Sequence, residues 1–136
     1  MNAGSWIDHI ANDVEVRATL PDGLPLNDLL VVRVSAEPGN VLIVETLTRS
    51  MPSGIPARWV ERGAEFISIT FRIGFRTLSI NAHEVDVEQA GQVLMTPGAF
   101  TLRANEEHGT PSLQINATTF FVQVDLKPMQ HSQLRP

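Results

Sequence analysis

The sequence predicts an all-β protein, or a mainly β one with one short helical turn at its amino end, built as an antiparallel meander that forms a sandwich or partly open barrel. Three observations predict this. Apolar and polar residues alternate over short runs, the period-two signature of strands with one buried face. Clusters of Pro, Gly, Asn and Asp separate these runs at strand-like intervals. No long run carries the 3.6-residue spacing of an amphipathic helix.

The elements follow in chain order. Ser5 to Ala11 makes the helical turn, with Trp6 and Ile10 four apart and Ser5 as its cap. Val14, Val16, Ala18 and Leu20 alternate with Glu15, Arg17 and Thr19, which predicts a half-buried strand ending at the Pro21-Asp22-Gly23 turn. Leu29–Ala36 and Val41–Thr48 flank Glu37-Pro38-Gly39-Asn40 and predict a hairpin. The Pro-rich stretch from Ser50 leads through Pro56-Ala57-Arg58-Trp59 towards a strand over Ala64–Arg72, with Ile67, Ile69, Phe71 and Ile73 facing the core. Gly74 interrupts it. The strand Arg76–Ala82 that follows either closes a hairpin or continues one long strand past a bulge. Val85 and Val87 between acids predict an acidic edge strand over His83–Ala90. Short strands are expected at Gln92–Met95, Phe100–Ala104, Ser112–Asn116 and Phe120–Leu126. Residues 1–127 then form a single β domain and residues 128–136 a flexible tail.

Composition narrows the function classes. With 43% hydrophobic and 18% charged residues over 136, the chain can bury a core without covalent staples. It has no cysteine, so disulfides, thiolate metal sites and a cysteine nucleophile are excluded. Met1 to Ile10 lacks the basic and apolar regions of a secretory signal, and no stretch nears the roughly 18 apolar residues of a membrane span. The expected location is the cytoplasm, with no membrane partner. The net charge of −5 speaks against nucleic-acid binding, which needs a clustered positive face. The charge is uneven. Residues 1–48 hold seven acids against two arginines, residues 49–82 hold five arginines against two glutamates, and residues 83–111 hold five acids against Arg103.

No catalytic machinery is legible, and the expectation is a protein that is not an enzyme and uses no cofactor and no metal. His9, His83, His108 and His131 fall in no HxH, HExxH or HxxxH pair. On a strand Glu84, Asp86 and Glu88 share one face about 7 Å apart, a straight row that does not converge as a hard cation requires. They read as a solvated acidic edge and as candidate binding residues. Asn105-Glu106-Glu107-His108 reads as a solvated polar turn. GxSxG, GxxxxGK and GxGxxG are absent. Trp6 is expected to staple the amino-terminal turn to the sheet. Trp59 packs in the core or, with Arg58, forms a binding anchor, because Trp and Arg are favoured at interface hot spots.

An ordered set of motifs carries a resemblance. Trp6 is followed after five residues by Asn12-Asp13; Leu24-Pro25-Leu26 precedes the Leu/Val-rich strand; Pro56-Ala57-Arg58-Trp59 precedes a Phe/Ile strand and a bend at Gly74. Over residues 5–82 this resembles a small immunity-protein family of bacterial polymorphic toxin systems, the one numbered fifty. The resemblance implies an antidote that neutralises a cognate toxin protein by binding it, as a monomer or small homo-oligomer, and it brings no active-site residues. An acidic inhibitor suits a positively charged toxin site. Three other readings stay open. A small-ligand-binding β-barrel module would use Phe66, Phe71, Phe75, Phe100, Phe120 and Phe121 to line an apolar cavity. An enzyme would use His83, Glu84, Asp86 or His108. A structural or oligomeric accessory protein would show exposed apolar edges.

Overall fold

The computed structural model describes residues 5–82, 90–107 and 110–134. Six antiparallel strands form its body: β1 (Leu29–Glu37), β2 (Val41–Thr48), β3 (Phe66–Ala82), β4 (Ala90–Thr96), β5 (Ala99–Glu107) and β6 (Thr110–Met129). They close into a barrel in the order β1-β2-β3-β6-β5-β4. The fold is all-β, as the alternating pattern predicts.

The barrel is two three-stranded meanders side by side. β1-β2-β3 is one and β4-β5-β6 the other, and β3 lies against β6. One continuous meander is therefore not what forms, and the barrel is closed and not partly open. The seam is short: Leu29 pairs with Gly91 and Leu30 with Ala90. Gly91 suits it, because a Cβ there would stand 2.9 Å from Val31 Cγ2.

Six strands appear among the described residues where ten runs are named: two pairs of runs fuse, the run from Val14 is helical, and the acidic edge strand expected over His83–Ala90 lies, but for Ala90, outside the described residues. Ala64–Arg72 and Arg76–Ala82 belong to β3, and Ser112–Asn116 and Phe120–Leu126 belong to β6. The fusion hides at a corner. Gly74 pairs with Phe121 but Phe75 pairs with Thr119, which leaves Phe120 as an extra residue on β6. Phe75 pairs with Thr119 but Thr77 with Thr118, which leaves Arg76 as an extra residue on β3. Each bulge slips the inside–outside phase by one and bends its strand. Buried Ile69, Phe71 and Ile73 thus precede the corner on odd positions, whereas half-buried Leu78 follows on an even one.

Two segments expected as strand or strand approach are helical. Asp13–Thr19 is α1, not a half-buried strand. Val14, which the alternation would bury, is 76% exposed, while Val16 and Leu20, four apart, are buried on one face. Asp13 and Glu15 in the first turn and Arg17 in the last favour the helix dipole, and Arg17 pairs with both Asp13 and Asp8. Residues 57–61, Ala57–Glu61, form a one-turn α2 around Trp59, with Pro56 preceding the first turn, where a missing N–H costs nothing.

The amino-terminal segment packs on the barrel core. Trp6, in a 3₁₀ turn over Ser5–His9, is buried and its Nε1 donates to the Leu24 carbonyl at 2.8 Å, which is the stapling role expected of it. Ala11 N donates to Val122 O at 2.7 Å, and Val93 N donates to Leu26 O at 2.8 Å. The segment thereby satisfies edge groups of β6 and β4 that no strand pairs among the described residues.

The chain end corrects a further expectation. β6 runs on to Met129, with Pro128 opposite Ile67. Gln130 Nε2 then donates to Arg62 O at 3.1 Å, His131 N donates to Glu65 Oε1 at 3.1 Å, and the His131 ring lies 5.1 Å from that of Phe66. Residues 128–131 are tied to the body and do not form a free tail.

Candidate functional site

The corner that bends β3 and β6 also displays the most distinctive side chains of the exterior. The two extra residues meet: the Arg76 guanidinium lies over the Phe120 ring at 4.0 Å from its centroid, within cation–π range. Phe120 is 63% exposed and its neighbour Phe121 39% exposed. Phe121 lies across Gly74, where a Cβ would meet its ring at 2.2 Å. Gly74 is therefore required by close approach: only a residue without a side chain lets the Phe121 ring lie flat on β3.

Beside this cluster a shallow groove of about 390 Å³ crosses β3, β6 and β5, lined by Thr77, Ser79, Thr101, Asn116 and Thr118 among others. The hydroxyls of Thr77 and Thr118 hydrogen bond at 2.6 Å, and Thr118 Oγ1 accepts from Thr77 N at 3.1 Å. Arg76 and the two phenylalanines thus border an uncharged surface on a hydrogen-bonded sheet, in which these hydroxyl and amide groups alternate with apolar Leu78, Ala99 and Ala117. Bulk apolar area with a planar cation, held on rigid strands, is the chemistry of an interface hot spot.

Of the candidate binding residues singled out from sequence, the two that the structure describes, Arg58 and Trp59, do not lie there. Arg58 is exposed on α2, while Trp59 is 8% exposed and belongs to the core. The core reading of Trp59 is the one the structure displays, and the two residues do not form one exposed anchor. Its remaining edge faces a groove of about 230 Å³ with Arg62, Ala64, Pro128, Met129 and Gln130. His83, Glu84, Asp86, Glu88 and His108 lie outside the described residues, and the side chains of Glu106 and Glu107 are likewise outside them. Among the described residues no group of three or more His, Asp or Glu is placed to hold a metal ion.

The acidic amino-terminal block is less bare than its composition suggests. Asp8 and Asp13 pair with Arg17, Asp28 with Arg49 at 2.9 Å, Glu37 with Arg72 at 3.2 Å and Glu45 with Arg33 at 3.7 Å. Glu15 and Asp22 remain without a salt bridge among the described residues. Arg76, by contrast, has no carboxylate partner among them, and its charge is offered to the exterior.

The six phenylalanines occupy separate environments. Phe71 and Phe100 meet inside the barrel, 5.5 Å apart and tilted by 59°. Phe66 is buried beside His131, Phe75 is half-buried, and Phe120 and Phe121 are outside. They do not line one cavity. Reading from sequence missed the outer pair because Phe120 was in phase with Val122, Val124 and Leu126. The available signal was the doublet itself, since consecutive residues on a strand cannot both face inward.

No family model matches this chain, and neither a curated protein nor a solved structure matches it.

Proposed function

We propose that the protein is an immunity-type binding protein that neutralises a cognate bacterial toxin domain in the cytoplasm by direct protein–protein contact. The observation that carries this reading is the exposed Arg76–Phe120–Phe121 cluster on the bent centre of the sheet. It combines hot-spot residue types with a backbone that loses little freedom on binding. The net charge of −5 supplies a long-range field that favours approach to a basic toxin surface. Glu84, Asp86 and Glu88 contribute to that field.

The test is co-expression rescue: growth of cells making a suspected toxin domain, with and without this protein. Phe120→Ala with Phe121→Ala is expected to weaken toxin binding by about 30-fold or more, the effect of losing a hot spot worth roughly 2 kcal/mol, with an unchanged circular dichroism spectrum. Gly74→Ala should do likewise by lifting the Phe121 ring off the surface. Charge reversal of Glu84, Asp86 and Glu88 to Lys is expected to slow association and flatten its salt dependence. Full rescue by the folded double variant would move the interface off the corner. An association rate indifferent to ionic strength would remove the electrostatic part.

A further inference from the structure

Among the described residues, the last six of β3 are paired on one edge only. Thr77 to Ala82 face Thr118 to Leu113 of β6 in unbroken register. β2 stops pairing at Gly74, and among the described residues no strand follows along the other edge. Its outward N–H and C=O groups are a template for a further strand. Proteins usually blunt such an edge with charge, proline or a bulge. Thr77–Ala82 carries no charged residue and no proline, and the bulge at Arg76 ends just before it. Ile80, in the middle, is 43% exposed.

The pattern of the edge selects its partner. Leu78, Ile80 and Ala82 are apolar and lie on one face; Ser79 and Asn81 are polar and lie on the other. This order reads the same in both directions about Ile80. A two-fold axis there sets Ile80 opposite its own copy, Leu78 opposite Ala82 and Ser79 opposite Asn81. Apolar meets apolar, polar meets polar, and no charge meets its like. A slip of one residue sets every apolar side chain against a polar one. We propose that the free edge of β3 binds a second copy of this chain, strand to strand and antiparallel, making one continuous sheet across a two-fold dimer. The inference is independent of any toxin.

Sedimentation of the full chain over a concentration series tests it. The parent is expected to pass from 15.0 kDa to twice that mass. Ile80→Lys and Ile80→Glu, each alone, should stay monomeric where the parent is dimeric, because like charges then face across the axis. A one-to-one mixture of the two should recover the dimer. Ser79→Lys with Asn81→Lys repeats the test on the other face, with thermal unfolding as the folding control for each variant. A parent that is monomeric throughout, a single variant that still dimerises, or a mixture that stays monomeric would overturn the proposal. So would a monomeric parent whose Thr77–Ala82 amides gain protection only when a different protein is added, which would assign the edge to a strand of that protein.

Discussion

Phe71→Ala is expected to destabilise the barrel by about 3–5 kcal/mol, the cost of removing a fully buried aromatic ring and leaving its space unfilled. Phe71 is fully buried, stands between Val44 and Val124 in register, and touches the Phe100 ring. The ring pair adds edge-on attraction to the apolar burial, so Phe100 loses its partner as well. Phe120→Ala, a change of the same residue type in the same sheet, should cost only about 0.5–1 kcal/mol, the worth of an exposed cation–π contact. Urea unfolding followed by circular dichroism measures both. The contrast separates the two sides of the sheet: interior rings hold the fold, and exterior rings are available for contact. A cost for Phe71→Ala below about 1.5 kcal/mol would mean an interior loose enough to refill or stay open. That result would favour a ligand-holding barrel over a packed one.

How far the sequence carried this fold depends on where its period held. The Leu29–Thr48 hairpin was legible because its turn residues and its alternation agree; Asn40 takes the positive φ, 60°, that the turn demands. The core face of β3 was legible for the same reason, and Ile67, Ile69, Phe71 and Ile73 are all fully buried. Two kinds of position were not legible. At the corner, Arg76 and Phe120 each consume one residue without advancing the pairing, so the pattern breaks although the strands do not. Over Asp13–Thr19, a period of two and a helical face share Val16 and Leu20, and only the fate of Val14 separates them. The strand order was out of reach for a different reason. β3 meets β6 through contacts far apart in sequence, and local alternation carries no information on which strand lies beside which. The candidate site inherits all of this: it sits where the period slips, at residues that a uniform alternation assigns to the interior or to no role.

Asn12→Ala is expected to cost about 2 kcal/mol, because one side chain makes two hydrogen bonds that a strand would otherwise make. Its Nδ2 donates to Val124 O at 2.7 Å and its Oδ1 accepts from Val124 N at 3.0 Å. Asn12 precedes α1 yet makes no side-chain cap to it. Its amide is committed to β6 instead, where it ties the first residues of the chain to a strand more than a hundred positions away. Alanine leaves both backbone groups of Val124 without that partner in a part-buried site, and the helix loses its anchor on the barrel. Asn12→Asp is the sharper variant. It keeps an acceptor for Val124 N but sets a carboxylate oxygen against Val124 O, beside Glu15 and Asp125, which line the same groove. It should destabilise at least as much as alanine although it is nearly isosteric. Hydrogen exchange gives the local reading: the Val124 amide should lose protection in both variants, with the interior amides of β3 losing only what the global stability loses. Protection of Val124 that survives Asn12→Ala would show that the amino-terminal segment holds β6 through Trp6 and the Ala11 backbone alone.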